Sequence, residues 1–263
     1  MKSAVADHLD GEMQTPSPVP YLEAISISKT FGHVTALSRT SIALHGGEIV
    51  ALVGDNGAGK STLVAILSGV LQADEGIIRV AGKEVTIDSA QTAIGHGIAT
   101  VFQGLALVEQ RSVAANLHLG REPTRFGVFV QRHKMMRSAR EVIAELGVNL
   151  PSVRAAVRDL SGGQRQSVAV SRAILRGGKA MLMDEPTAAL GIREAGHVYS
   201  LMRQMRLDGH AVLVVSHNLE SVFDIADRIV VLRHGRVIAN KAVSEVTRDV
   251  IVGLIVGSRK TDR

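Results

Sequence analysis

The sequence contains no cysteine and no tryptophan, and aromatic residues make up only 3% of its 263 positions. The lack of cysteine excludes disulfide bonds and thiolate metal sites, and it is compatible with a reducing cytoplasm. Hydrophobic residues nevertheless reach 46% of the chain. We therefore expect a sizeable core built from aliphatic side chains and methionine, in one large α/β domain with at most a small insertion.

Long hydrophobic runs are also missing. No stretch approaches the ~20 apolar residues needed to cross a bilayer, and the run at residues 250–256 is more typical of a packing helix. No signal peptide is evident, and residues 1–20 are predicted to form a disordered tail. If the protein works at a membrane, we expect another chain to supply the span. A net charge of +5 permits polyanionic partners without choosing among them.

The most informative stretch is GDNGAGKST at residues 54–62, which fits the pattern of Gly, four residues, and Gly-Lys-Ser/Thr. It follows a short apolar run that indicates a buried strand and precedes apolar residues at helical spacing. Glycines can turn backbone N–H groups around an anion, and the start of a helix offers more of them. A plain strand-to-helix turn is the competing interpretation. The predicted phosphate loop consists of Gly54, Asp55, Asn56, Gly57, Ala58, Gly59, Lys60, Ser61 and Thr62.

Within this loop, Lys60 can reach the β- and γ-phosphates of a nucleotide, and the Ser61 hydroxyl can ligate Mg²⁺. A second apolar run, at residues 180–183, ends in Asp184 and Glu185. We expect Asp184 to hold Mg²⁺ and Glu185 to polarise the water that attacks the γ-phosphate. Acidic residues often end strands, so this pair is informative mainly because the phosphate loop accompanies it.

The sequence LSGGQRQ at residues 160–166 opens a predicted helix. Ser161 is a good N-cap, and the free N–H groups that follow it form a second potential anion site. Spacing alone favours an ordinary capped helix.

Hydrophobic patterning predicts how these motifs are arranged. The first third of the chain is predicted to form a β-rich layer. Its predicted turns lie at residues 29–32 and 81–83, and its predicted strands include residues 77–80 and 85–87. Residues from about 104 to 158 change character, with helices at 112–119 and 134–146 and many basic residues between 121 and 140. That basic stretch is either a solvated helical face or a contact for an anionic surface. Buried strands at 98–102, 180–183 and 211–215 and a helix at 193–207 indicate a mostly parallel sheet.

In this order the motifs resemble those of ATP-binding-cassette (ABC) ATPases, over residues 21 to about 240. The resemblance implies a P-loop NTPase core of the α/β class, with an N-terminal antiparallel β layer and an inserted helical subdomain at about residues 104–165. The ATPase domain would span residues 21–245, and residues 246–263 would form a C-terminal helix and tail. Residues 54–62 match the Walker A motif and residues 180–185 the Walker B motif.

The same resemblance implies roles for single residues. Phe31 matches the aromatic that stacks on adenine, and His217 matches the switch histidine that senses the γ-phosphate, although a lone histidine is more often structural. Gln103 matches the Q-loop glutamine, an expected Mg²⁺ ligand together with Ser61 and Asp184. The expected catalytic residues are Glu185, His217 and Gln103. The signature residues expected to contact nucleotide are Ser161, Gly162, Gly163 and Gln164.

Residues 101–108 and 116–123 resemble the monosaccharide-importer branch (ribose, xylose or fructose type), in its single-cassette form. The resemblance implies ATP and Mg²⁺ as cofactors, an ATP-sandwich homodimer, transmembrane permease subunits and, indirectly, a solute-binding protein. It places the chain peripherally at the cytoplasmic face of the inner membrane, with no nucleic acid expected. One departure is Gly191, which stands where the family usually has an aspartate, so the coupling between the two sites is in question.

Two alternatives belong to other functional classes. A soluble cassette ATPase acting on nucleic acid or ribosomes is permitted by the basic charge, but such proteins usually carry tandem cassettes or a long coiled-coil insertion. A nucleotide-binding module without hydrolysis is opposed by the presence of Glu185 and His217.

Overall fold

A six-stranded sheet forms the centre of the computed structural model, which describes residues 19–257; the predicted tail at residues 1–20 lies almost entirely outside them. Five strands of this sheet are parallel and the edge strand β12 is antiparallel to its neighbour, in the order β12-β11-β3-β10-β9-β6. The strands are β3 (Glu48–Val53), β6 (Ile98–Val101), β9 (Ala180–Asp184), β10 (Ala211–Val215), β11 (Arg228–Arg233) and β12 (Arg236–Ala242).

A second, antiparallel sheet covers one face of the first, with the order β2-β1-β4-β5. Its strands are β1 (Leu22–Phe31), β2 (Val34–Leu44), β4 (Glu75–Val80) and β5 (Lys83–Val85). The helices are α1 (Lys60–Leu67), α2 (Ala90–Gly95), α3 (Val113–Leu117), α4 (Arg132–Glu145), α5 (Gly162–Leu175), α6 (Ile192–Leu207), α7 (Leu219–Ile225) and α8 (Arg248–Val256). This architecture confirms the predicted α/β class, its mostly parallel sheet and its antiparallel layer.

The central strands feed two cores because successive side chains of a strand point to opposite faces. Val50 and Leu52 of β3 pack with α1 and the antiparallel sheet. Ile49 and Val53 face the other way, into a core that includes residues from α5, α6 and α7. Ile251 of α8 is fully buried in that second core. Strands covered on both faces explain why β3, β9 and β10 are continuous apolar runs.

The inserted subdomain has a third core, formed between α3, α4 and α5. Asn116 of α3 is fully buried and fixes the adjoining loop. Its Oδ1 accepts from the Val108 N–H at 2.7 Å, and its Nδ2 donates to the carbonyls of Val108, Arg111 and Ser112 at 3.0–3.3 Å. The amide thus satisfies backbone groups that a short, buried loop cannot pair by itself.

Several predicted boundaries are wrong by a few residues. β1 continues to Phe31 and pairs with Val34, so the turn is confined to residues 32 and 33 rather than 29–32. β5 ends at Val85, earlier than the predicted strand at 85–87. α1 ends at Leu67, so Val70, the last of the apolar residues at helical spacing that follow the phosphate loop, lies beyond the helix and is exposed. α3 and α4 are shifted relative to the predicted helices at 112–119 and 134–146, since Ser112 is a cap and the first turn of α4 begins at Arg132.

A further correction concerns residues 121–140, which the sequence assigned to a helical insertion. Before α4 they contain a small hairpin of β7 (Thr124–Arg125) and β8 (Phe129–Val130). Two-residue strands leave no periodic signal in a sequence. Among the helices within residues 19–257, none has the length and apolar character needed to cross a membrane.

Arg228 joins the two sheets and provides a test of what holds them together. Its guanidinium donates to both carboxylate oxygens of Glu48, at 2.7 and 2.8 Å, and to the Ala43 carbonyl of β2 at 2.7 Å. The Glu48 side chain is 8% exposed. Since Arg228→Ala would leave this carboxylate buried and unpaired, we expect the free energy of unfolding to fall by about 3–5 kcal/mol in urea denaturation.

The matched control is Arg137→Ala, which removes an exposed pair with Glu141 at 3.9 Å. Such a pair contributes at most ~1 kcal/mol. Equal, small losses in the two variants would contradict the role given to Arg228. A double variant, E48M/R228M, should recover much of the loss because it leaves no unpaired charge.

Candidate active site

The loop between β3 and α1 has the conformation that its glycines permit. Gly54, Gly57 and Gly59 have φ values of 154°, 76° and 104°. A Cβ at Gly54 would lie 2.1 Å from the Leu232 carbonyl oxygen, and one at Gly59 would lie 2.5 Å from the Ala36 carbonyl oxygen. Residues with side chains would therefore push the loop away from β11 and β2. The loop is held tightly against both sheets while residues 55–57 remain exposed.

Lys60 begins α1 and its side chain folds back over the loop. Its Nζ donates to the carbonyls of Gly54 and Asp55 at 2.8 and 2.9 Å, and the residue is buried. Burial lowers the pKa of Lys60, an effect opposed by the nearby carboxylates of Glu185, Asp55 and Asp184. A desolvated cation surrounded by main-chain oxygens is suited to exchange these partners for phosphate oxygens.

Asp184 and Glu185 lie at the carboxyl edge of the central sheet. Asp184 is the last residue of β9 and is paired with Val215 of β10. Burial raises the pKa of Asp184, Glu185 raises it further, and Lys60 opposes both effects. Glu185 has a φ of 48°, a left-handed conformation that is costly for a residue with a side chain. Its N–H donates to the Val215 carbonyl at 3.0 Å, which holds the backbone in this turn.

His217 lies beside Glu185. Its Nδ1 is 3.2 Å from Glu185 Oε1, and its side chain is 67% exposed. His217 lies two residues after the end of β10, and Asn218 caps α7 by accepting from the Ser221 N–H at 3.3 Å. The cleft beside His217 contains residues 53–56 and Glu185, and one of its walls comes from α8, whose position here the sequence did not predict.

The residues around this edge fit a magnesium–nucleotide complex. Mg²⁺ prefers oxygen ligands, and in nucleotide sites it takes one or two from the protein and the rest from phosphates and water. The Asp184 carboxylate and the Ser61 hydroxyl are of that kind, and Ser61 is exposed at the first turn of α1. Among residues 19–257 no cluster of three or more His, Asp or Glu side chains could hold a metal.

Gln103 lies two residues beyond β6 and is exposed. It lines a cleft of ≈ 520 Å³ together with Glu185, Gln166 and Gly162. Gln103 and Glu185 therefore share one cleft, between the central sheet and the helical subdomain. Phe31, at the end of β1, is half exposed, and the Lys29 ammonium lies 5.7 Å from its ring centroid. The ring is thus partly accessible, with a cation over one face.

The signature residues lie in a different part of the molecule from the phosphate loop. Ser161 caps α5, with its Oγ accepting from the Gln164 N–H at 3.4 Å and Gln164 Oε1 accepting from the Ser161 N–H at 3.0 Å. Ser161, Gly163 and Gln164 line a cleft with α4 and α6 in which residues 54–62 take no part. Within one chain, the structure brings Lys60, Asp184, Glu185 and His217 together. The signature lies apart from the phosphate loop, and of its residues Gly162 shares a cleft with Glu185.

Glu194 of α6 is a residue that sequence reasoning missed. Its Oε2 would lie 3.4 Å from a Cβ on Gly162, and its Cβ would lie 3.0 Å from one on Gly163. Hydrogen bonds from Ser161 and from the Gly191 N–H hold the pKa of Glu194 below its usual value. The two signature glycines thus permit α5 and α6 to approach closely. The only sequence signal for Glu194 is its place three residues after the helix cap.

Gly191, which stands in place of the expected aspartate, is the N-cap of α6. Its φ of −68° and ψ of 165° are open to any residue. A Cβ there would meet nothing within 4 Å. Glycine is therefore not required at this position by sterics or backbone conformation.

Comparison with known proteins supports a single family. The ABC transporter family profile matches residues 37–188. A fructose import ATP-binding protein of Rhizobium meliloti is 41% identical over 251 residues, covering 93% of this chain and 96% of that protein. A xylose/arabinose import ATP-binding protein of Sulfolobus acidocaldarius is 42% identical over 224 residues, covering 85% and 89%. A ribose import ATP-binding protein of Chromobacterium violaceum is 43% identical, and the match covers 90% of this chain but only 47% of that relative.

Solved structures of similar fold support the same family. A nucleotide-free ATP-binding cassette from an ABC transporter has a TM-score of 0.78 at 25% identity, covering 92% of this chain and 96% of that one. A second ABC transporter cassette has a TM-score of 0.80 at 26% identity, covering 90% and 98%. With the profile matching more than half of its length and relatives above 40% identity along nearly all of it, the chain belongs to the ABC transporter family, a family of ATPases.

Proposed function

We propose that this chain is the ATP-hydrolysing subunit of a membrane importer for a simple sugar. The observation that carries the ATPase part is the convergence of Lys60, Asp184, Glu185 and His217 at one edge of the central sheet. The sugar part rests on the relatives, which are named as import proteins for fructose, xylose or arabinose, and ribose. All of these are monosaccharides, so a monosaccharide is the proposed cargo.

In the proposed site, the phosphate loop binds the β- and γ-phosphates through its N–H groups and Lys60. Asp184, Ser61 and Gln103 would hold Mg²⁺, which neutralises charge that develops on the phosphate oxygens. Glu185 accepts the proton of the attacking water, and its rigid backbone turn fixes the direction of the carboxylate. His217, 3.2 Å from that carboxylate, orients Glu185 and contacts the γ-phosphate. Phe31 offers its open face to adenine.

A second copy of the chain would complete the site. The signature cap at residues 161–164 offers N–H groups and the Ser161 hydroxyl, but it lies in a cleft without the phosphate loop. A two-fold arrangement, in which the signature of each copy faces the phosphate loop of the other, brings all predicted groups to one ATP. ATP would then favour the closed pair and hydrolysis would release it.

The proposed assembly also includes permease subunits that span the membrane, because none of the helices at residues 19–257 can do so. A solute-binding protein would deliver the sugar to the permease. We place the chain at the cytoplasmic face of the inner membrane. The alternative of a soluble cassette acting on nucleic acid is not favoured, since the relatives carry import names.

Glu185→Gln is expected to separate binding from hydrolysis. The amide keeps the shape of the side chain but cannot accept a proton, so turnover should fall by roughly 10²–10⁴-fold. ATP should still bind and hold the closed dimer, as measured by phosphate release and size-exclusion chromatography. Glu220→Gln, at an exposed position of α7, is the control. A Glu185→Gln variant that stays monomeric with ATP while wild type dimerises would falsify the two-copy site.

Asp184→Asn should stabilise the protein without nucleotide. Because burial raises the pKa of Asp184 in the folded state, its ionised carboxylate destabilises the fold as the pH rises above the ordinary Asp pKa. That penalty shrinks as the pH falls and is absent below about pH 4, the ordinary Asp pKa. The variant should therefore have a higher Tm than wild type at neutral pH, and the difference should vanish in acid.

With ATP and Mg²⁺ present, wild type should have the higher Tm. Its Asp184 carboxylate would bind the metal, and the variant lacks this ligand. Thermal melts of wild type, Asp184→Asn and the exposed control Asp224→Asn test both parts. An Asp184→Asn protein that gains as much from Mg²⁺–ATP as wild type does would remove Asp184 from the proposed metal site.

Gly191→Asp is expected to increase cooperativity between the two sites. The backbone accepts any residue there, and the carboxylate would restore the contact across the dimer that the family usually has. Coupling energies of this kind are about 1–3 kcal/mol, enough to raise the Hill coefficient for ATP in the assembled transporter. Gly191→Asn, which has the same shape without the charge, is the matched control. Equal Hill coefficients for wild type and Gly191→Asp would show that the glycine is neutral.

A further inference from the structure

The β7–β8 hairpin and the first turn of α4 form an exposed surface that the proposed function does not use. We call it the hairpin surface. It consists of Arg121, Arg125, Phe126, Val128, Phe129, Val130, Arg132 and Lys134. It extends from the residues after α3 into the first turn of α4, so it belongs to the helical subdomain rather than to the nucleotide site.

The charge of the whole protein is concentrated in and next to this surface. Residues 121–140 contain six Lys or Arg residues and one acidic residue, Glu122, which is a net charge of +5 with histidine neutral. The chain as a whole has 30 basic and 25 acidic residues, so the remainder holds 24 of each. Outside this segment the protein is electrically balanced.

These cations are largely unpaired. Within residues 19–257, Arg121, Arg125, Arg132 and Lys134 have no carboxylate within 4.0 Å, and in this segment Arg137 alone has an acidic partner, Glu141 at 3.9 Å. The guanidinium of Arg125 lies 5.1 Å from the Phe126 ring centroid. Both residues of this cation–π pair are exposed to solvent.

Large apolar side chains lie among these cations. Phe126 is 82% exposed, Val128 74% and Phe129 69%. Aromatic residues are only 3% of the sequence, and two of the five phenylalanines stand on this one small hairpin. Exposed rings on a chain so poor in aromatics indicate a contact surface rather than incomplete packing.

The hairpin displays these rings in a fixed geometry. Phe126 and Gly127 at its tip have φ values of 56° and 74°, and Arg125 pairs with Phe129 across the strands. Gln131 closes the base, with its N–H donating to the Pro123 carbonyl at 2.7 Å and its Nε2 donating to the Thr124 carbonyl at 2.7 Å. The rings are therefore presented by a hydrogen-bonded turn.

We propose that the hairpin surface docks onto the acidic lipid surface of the membrane. Phe126 and Phe129 would enter the interfacial region, and Arg125, Arg132 and Lys134 would lie over the anionic headgroups. Nucleic acid would also attract the cations, but the flanking aliphatic Val128 and Val130 favour an apolar boundary. Such docking would hold this part of the helical subdomain at the bilayer. It goes beyond the proposed import function and does not depend on which sugar is carried.

The contribution of the basic residues to membrane binding is tested by sedimentation of the full chain with vesicles. Wild type should bind phosphatidylcholine vesicles that contain phosphatidylglycerol and not bind phosphatidylcholine alone. Arg125→Gln, Arg132→Gln and Lys134→Gln together should weaken this binding on the order of 100-fold, at about fivefold per charge. The control combines Lys83→Gln, Arg154→Gln and Lys241→Gln, three exposed positions outside the segment, with the same loss of charge. ATP turnover should be unchanged in both triple variants.

The insertion of the apolar side chains into the bilayer is tested by fluorescence. The chain has no tryptophan, so an introduced one is the only indole that is observed. Phe129→Trp introduces a single indole, whose emission should shift to the blue and be quenched by lipids with brominated acyl chains. Val70→Trp, at an exposed site on a different part of the fold, should show neither effect. Phe126→Ser with Phe129→Ser should weaken vesicle binding, and leucine at both positions should restore it.

Three results would overturn the proposal. The first is equal loss of binding in the two charge-neutralised triples, which would indicate a non-specific net-charge effect. The second is an unquenched indole at position 129 when vesicles are bound. The third is a set of hairpin variants that bind vesicles as wild type does but no longer assemble with permease in detergent. That result would assign the surface to a protein contact.

Discussion

The parallel register of β3, β10 and β9 is the constraint on which the proposed site depends. Val215 lies opposite Leu52 on one side and Asp184 on the other, so the three strands end at the same level. The chain leaving each strand there carries the phosphate loop, the two carboxylates and His217. Since hydrogen bonds between strands fix this register, no side chain needs to reach far, and the site is positioned by the same pairing that forms the core.

That edge brings together ionisable groups whose charged forms are destabilised by burial. Lys60 is desolvated and bonded to main-chain carbonyls, while Asp184 is half-buried next to Glu185. Burial shifts both pKa values toward the neutral forms. Glu185 adds a left-handed backbone held by the Val215 carbonyl. A bound nucleotide with its metal would supply the anionic oxygens that Lys60 lacks and the cation that Asp184 lacks. Ligand binding and relief of this charge imbalance would then be one event.

The parts of the site that could be predicted are those encoded in continuous stretches of sequence. The phosphate loop, and the carboxylates after β9, follow from buried apolar runs next to residues of distinctive chemistry. The hairpin of β7 and β8 could not be predicted, because its strands are two residues long and its turn puts Phe126 in a left-handed conformation. Glu194 was missed for a different reason. Its contacts with the signature glycines exist only after α5 packs on α6, and periodicity carries no information on such packing.

This packing also suggests how the two sites of the proposed dimer would influence each other. Residues 186–190 connect Glu185 to the start of α6, and the Leu190 side chain would lie 2.7 Å from a Cβ on Gly162. Glu194 adds its contacts with Ser161 and Gly163 from the same helix. Because these groups are in close contact, a shift of the segment after Glu185 would displace α5 or separate the contacts. In the two-copy arrangement, the group that attacks one ATP would thus be connected, within a single chain, to the signature that holds the other.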